Sequence, residues 1–234
     1  MIFSMGTRKI PFTNDEIFHI YNRGVDKRII FVDEYDSRRF FQSMIEFNTV
    51  YPIGSLYEHS FNNKLGGETP KLAKKLVNII AYCLNPNHFH LIVRQLVDGG
   101  ISEFMKRLGG GFTNYFNNKH KRSGALFQGV FKDVHIDTNE YLLHVSAYVN
   151  LNDRVHQLGG ETLKLVRSRS SWEEYTDAKT KGICEKEIIL GQFRNRNEYK
   201  EFALSSFDSI VTRKEELKDI DNLLLESLGG ETPK

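Results

Sequence analysis

The sequence predicts an α+β domain with a mainly antiparallel sheet. Two observations carry that expectation. Aromatic and β-branched runs alternate with segments of helical periodicity, and two of the strand-like runs are joined by only three residues, too few for a crossover helix.

The elements follow in order. Phe18-His19-Ile20-Tyr21-Asn22 is rich in β-formers and runs into Arg23-Gly24, which reads as a strand entering a turn. Asp33 is placed to cap a helix whose apolar positions Phe40, Phe41, Met44, Ile45 and Phe47 follow helical spacing. Val77 to Leu84 reads as a strand, Asn85-Pro86-Asn87 as a break, and His88 to Val93 as the next strand. Ser102 is the expected cap of a helix through Phe104, Met105 and Leu108, continuing past Gly109-Gly110-Gly111 to Phe116. Phe127 to Ile136 alternates as a strand, and Asp137-Thr138-Asn139 opens a helix from Glu140 to about Leu151. This core is expected to end near residue 155. Residues 156–234 are then a helical, acidic extension anchored by Trp172, Tyr175, Phe193, Tyr199 and Phe202.

At 234 residues the chain suits a single domain with appendages. Lys and Arg (32) nearly balance Asp and Glu (30), but the charge is not evenly spread. Residues 101–135 hold 6 basic and 2 acidic side chains, whereas residues 136–234 hold 14 and 18. A basic centre beside an acidic end fits a polyanion at the centre. The longest apolar run, Ile79 to Leu84, is far below the roughly 20 residues that span a bilayer, so a cytoplasmic protein is expected. The opening MIFSMGTRK lacks the apolar stretch of a secretory signal, and Met5 is an equally good start. Cys83 and Cys184 form no metal-binding or disulfide framework by spacing. Leu-Gly-Gly-Glu-Thr recurs at residues 65, 158 and 228, and its glycines make each copy a loop.

Three groups of residues could carry chemistry. His88 and His90 flank Phe89 on a strand and therefore share one face, where two neutral imidazoles could ligate a divalent metal or be a chance pair. Tyr148 and Asn152 are four apart and stack on one face if the helix runs a turn beyond Leu151, with Tyr141 seven residues earlier on roughly the same face. The stretch from Asn114 to Gly129 mixes Lys119, Lys121 and Arg122 with Tyr115, Phe116 and Phe127, the composition of a single-strand nucleic-acid groove or of a solvated loop. Walker and dinucleotide-binding fingerprints and zinc-finger spacings are absent.

Together, Tyr82-Cys83-Leu84-Asn85-Pro86-Asn87-His88-Phe89-His90-Leu91-Ile92-Val93, Ser123-Gly124-Ala125-Leu126-Phe127-Gln128-Gly129-Val130-Phe131-Lys132 and Ala147-Tyr148-Val149-Asn150-Leu151-Asn152 resemble the single-tyrosine HUH transposases of insertion-sequence type. The similarity is greatest to the REP-associated tyrosine transposases. Asn22-Arg23-Gly24 and Ser170-Ser171-Trp172 add to it.

The resemblance implies a ferredoxin-like HUH core of antiparallel sheet and packed helices in residues 1–155. It implies His88, His90 and Asn152 as ligands of Mg²⁺ or Mn²⁺, and Tyr148 as the nucleophile. In related insertion-sequence enzymes the third ligand is commonly Gln, and Asn-Pro usually follows the helix where this chain has Asn150-Leu151-Asn152-Asp153. The implied activity nicks and rejoins single-stranded DNA beside palindromic hairpins through a 5′-phosphotyrosine, in a monomer or homodimer. Arg107, Lys119, Lys121, Arg122 and Lys132 are the expected phosphate contacts. A non-catalytic regulator of palindromic repeats and a hydrolase that uses the histidines without Tyr148 are the rival readings. Codons for Gly-Glu-Thr-Pro allow an inverted repeat, so insertion of a palindromic element into the gene is the expected origin of the three peptide copies.

Overall fold

The structure is a computed structural model, and it describes residues 11–51, 74–157, 168–209 and 212. Among these, five strands form one antiparallel sheet: β1 (Ile17–Arg23), β2 (Val77–Asn85), β3 (His88–Gln95), β4 (Lys132–Ile136) and β5 (Arg169–Ser170), in the order β4-β1-β3-β2-β5. The helices are α1 (Glu34–Glu46), α2 (Gly100–Lys119), α3 (Asn139–Asn150), α4 (Asn152–Gln157), α5 (Trp172–Thr176), α6 (Glu187–Leu190) and α7, residues 196–209. From β1 to β4 the chain runs β-α-β-β-α-β with order 4-1-3-2. This is the ferredoxin-like arrangement expected above. The three copies of Leu-Gly-Gly-Glu-Thr lie outside the described residues.

The sheet is covered on both faces. Phe18 and Ile20 of β1, Leu84 of β2 and Phe89, Leu91 and Val93 of β3 pack with Phe40 and Met44 of α1 and Phe104, Leu108 and Phe112 of α2. The opposite face packs Cys83 and Ile92 against Leu142 and Ala147 of α3 and against Tyr175, Ile189 and Tyr199 from the C-terminal segment. Strand β2 serves both faces because its register shifts between Ile79 and Ala81. The extra residue moves Ala81, Cys83 and Asn85 to the second face, which strict alternation from Val77 and Ile79 would deny them. Cys83 is completely buried there, and burial raises its thiol pKa well above the ordinary value. Iodoacetamide at pH 8 should therefore leave Cys83 unmodified in the native protein and alkylate it in urea, as peptide mass mapping would show.

Most elements form where their residues predict. Asp33 caps α1, its carboxylate accepting from the Asp36 amide at 3.0 Å. Three details differ. Helix α2 begins at Gly100, not after a Ser102 cap, and Gly99 takes the cap position with φ +68°. The helix then runs unbroken through Gly109, Gly110 and Gly111, and at Gly111 tertiary contact requires the glycine. A Cβ on Gly111 would stand 2.7 Å from Phe47 Cε2. Only Lys132–Ile136 of the expected 127–136 strand is regular. Phe127 makes an isolated bridge to Gly24, and Gly129 turns the chain at φ +70°. Finally, α3 stops at Asn150, and the chain restarts as α4 at Asn152 instead of continuing one turn past Leu151.

Candidate active site

The register of the sheet assembles the site. Residues directly opposite on antiparallel strands share a face, and Tyr21 faces both His90 and Lys132, while His88 faces Arg23 and Asn85. The second face of the sheet therefore carries, from β4 to β2, Lys132, then His19, Tyr21 and Arg23, then His88 and His90, then Asn85. Helix α3 lies over this face and supplies Tyr148, whose ring meets His90 edge-on with centroids 5.5 Å apart and His19 at 6.3 Å. The His88 and His90 rings are 5.1 Å apart and nearly perpendicular.

Hydrogen bonds orient both imidazoles. His88 Nδ1 donates to Asn87 Oδ1 at 2.6 Å, which leaves Nε2 as the lone-pair nitrogen; it accepts from Asn85 Nδ2 at 3.0 Å. Asn152 Oδ1 stands 3.2 Å from the same Nε2 and accepts from Asn85 Nδ2 at 2.7 Å. His90 Nδ1 lies 2.9 Å from His19 Nε2. Burial brings the His19 pKa down to about 4, so His19 is neutral and able to accept from His90. With His90 as donor, its Nε2 keeps a lone pair. Ring N–H groups held by a neighbouring acceptor are the usual support for metal-binding histidines.

This donor set suits a small divalent cation. Two acceptors 3.2 Å apart match the roughly 3.0 Å edge of an octahedron with about 2.1 Å metal–ligand distances. Mixed imidazole and carboxamide ligation fits Mn²⁺ or Mg²⁺ better than it fits a thiolate-seeking metal. No cluster of three or more His, Cys, Asp or Glu side chains suited to a metal occurs among the described residues. The third donor here is an amide.

Tyr148 is half-buried. Burial raises its phenol above the ordinary value, partly offset by a side-chain hydrogen bond from Asn152, while nearby Cys83 and Tyr21 push it further up. Asn152 thus stands near both the nucleophile candidate and His88. It reaches them from the first position of α4, not from a further turn of α3. Tyr141, at the start of α3, is 39% exposed.

The C-terminal segment braces this end of α3. Buried Asn150 donates to Tyr199 OH at 2.7 Å and accepts from Ser171 Oγ at 2.6 Å, and Ser171 in turn bonds the Tyr82 backbone of β2. Asn150→Ala strands both hydroxyls and should cost about 2 kcal/mol, seen as a Tm lowered by about 4–8 °C in thermal denaturation.

Among the expected phosphate contacts, Lys121 and Lys132 are exposed, and Lys132 lies on the site face, two strands from His90. The other three donate within the protein. Arg107 binds Glu103 at 2.8 Å and the Thr49 carbonyl at 2.7 Å, and Arg122 binds Asn117 and the Ala125 carbonyl. Lys119 joins Asp33 and buried Asp36, both at 2.7 Å. Sequence reasoning missed His19, Tyr21, Arg23 and Asn85. The alternation Ile17, His19, Tyr21 against Phe18, Ile20 was the available signal for the first two.

Residues 69–152 match the family model described as "Transposase IS200 like". A solved structure described as a REP-associated tyrosine transposase bound to a REP hairpin aligns with a TM-score of 0.45 and 12% identity, covering 76% of this chain and 90% of that one. No curated protein matches the chain. Residues 69–152, the stretch similar to the IS200-like transposases, carry His88, His90, Tyr148 and Asn152.

Proposed function

We propose that the protein is a metal-dependent single-stranded DNA transposase that nicks and rejoins strands beside palindromic hairpins, with Tyr148 as nucleophile. One observation supports this most. Tyr148 lies edge-on to His90 with centroids 5.5 Å apart while Asn152 Oδ1 stands 3.2 Å from His88 Nε2, so a tyrosine on α3 and the candidate ligands gather at one place on the sheet face.

His88, His90 and Asn152 would hold Mg²⁺ or Mn²⁺, which supplies charge withdrawal from a scissile phosphate. Tyr148 sits beside that phosphate on α3, held by the Asn150 brace. Its phenolic proton leaves to solvent, Oη bonds to phosphorus, and the P–O3′ bond breaks. The departing 3′ oxygen takes up a proton, and the 5′ phosphate remains on Tyr148. Attack by another 3′-OH reverses these changes and frees the tyrosine, so rejoining needs no nucleotide hydrolysis. Exposed Lys132 and Lys121 are the first candidates for the backbone phosphates, with Arg23 beside His88. Arg107, Lys119 and Arg122 would reach DNA only while sharing protons with their protein partners. A palindromic hairpin of the REP kind is the proposed target, and the protein would act in the cytoplasm at the nucleoid.

The polarity of cleavage tests this reading. On an end-labelled hairpin oligonucleotide with Mn²⁺, the 5′ fragment should end in a 3′-OH that a polymerase extends, and the 3′ fragment should migrate with protein in SDS. Fragments bearing free 5′ phosphates and no protein would instead indicate a hydrolase.

A further inference from the structure

The most unusual contact in the site belongs to Asn85, a residue without a role in the chemistry above. Its side chain is fully buried, and its Nδ2 donates at once to His88 Nε2 at 3.0 Å and Asn152 Oδ1 at 2.7 Å. Those two acceptors are two of the three atoms assigned to the cation. The amide hydrogens therefore stand in the cation's place, satisfying lone pairs that would otherwise face each other across 3.2 Å.

Resting on the metal-centre reading, we propose that Asn85 is a fourth protein ligand, whose amide turns over on metal binding to present Oδ1 where Nδ2 now lies. Three features allow the turn. The two ends of a carboxamide are nearly equal in size, so rotation about the last side-chain bond exchanges donor for acceptor without repacking. Among the described residues, Oδ1 accepts only a weak bond from Cys83 Sγ at 3.7 Å, so little is lost when it leaves. The backbone is held meanwhile, since the carbonyl of the next residue, Pro86, accepts from the amides of Ile30 and Phe31 at 2.7 and 3.0 Å. The register shift between Ile79 and Ala81 is what turns Asn85 to this face at all. A neutral amide adds a ligand without cancelling the cation's charge, which keeps its pull on a phosphate.

Mn²⁺ titration of the full chain without DNA tests the proposal, by calorimetry or by loss of the free Mn²⁺ resonance. Asn85→Ala should weaken Mn²⁺ binding about tenfold or more, and Asn85→Asp should bind at least as tightly as wild type. Alanine binding equal to or tighter than wild type would overturn the proposal and make the amide a plug. So would weaker binding by Asn85→Asp, which also decides the matter if the alanine variant fails to fold. His88→Ala in the same titration separates the two levels. Wild-type affinity in that variant would remove the metal centre itself, whereas lost affinity there with an indifferent Asn85→Ala removes only the role of Asn85.

Discussion

Replacing His88 and His90 together with Ala should abolish divalent-metal-dependent cleavage of hairpin DNA while leaving the fold intact. The two imidazoles are the only nitrogen donors assigned to the cation, and Asn152 alone offers one neutral oxygen. A cation's stabilisation of a phosphoryl-transfer transition state is several kcal/mol, so its loss lowers the cleavage rate by about three orders of magnitude or more. The fold tolerates the change because both side chains lie on the site face, while Phe89 between them fills the core under α1 and α2. Single-turnover cleavage with Mn²⁺, alongside a thermal melt, checks both halves. Cleavage at the wild-type rate in the double variant would remove the metal assignment.

Tyr148→Phe should eliminate the protein–DNA adduct and with it strand transfer, while hairpin binding changes by no more than about twofold. The hydroxyl is the only atom removed, and the ring keeps its edge-on contacts with His90 and His19. Removing one hydroxyl from a half-buried ring costs about 1 kcal/mol of stability, too little to unfold the site. On the proposed reading, binding would rest instead on basic groups at the surface, the exposed Lys132 and Lys121 first among them. Adduct gels and a fluorescence-anisotropy titration on the same preparation separate the two effects.

The two histidines show what a sequence discloses about such a site. Alternation along one strand suffices to put His88 and His90 on a common face, and the strand was evident from its β-formers. His19, Tyr21 and Arg23 are as close to the centre, yet they lie some 70 residues earlier. Only the pairing of Tyr21 with His90 and of Arg23 with His88 brings them in. Asn85 was hidden twice over. It reads as the start of a turn before Pro86, and its orientation depends on a register shift that no local pattern announces.

Helix ends show a similar division. Asp33 caps α1 through its own side chain, a local interaction that sequence reveals. The start of α2 at Gly100 lies close against the Leu76 backbone, Gly111 within it close against Phe47, and Asn150 at the end of α3 is held by Ser171 and Tyr199. Those are contacts between distant segments. Arg107, Lys119 and Arg122 make the same point for charge, because composition marks a basic stretch without telling which cations the fold has engaged in ion pairs and carbonyl bonds.

The proposed function requires Tyr148 to take the DNA. Incubating the full chain with single-stranded hairpin DNA and Mn²⁺, digesting the adduct with protease and nuclease, and sequencing the nucleotide-bearing peptide by mass spectrometry tests it most directly. The expected product is a nucleotide linked through its 5′ phosphate to Tyr148; a nucleotide on Tyr141 or Tyr21, or cleavage with no modified peptide, would overturn the assignment.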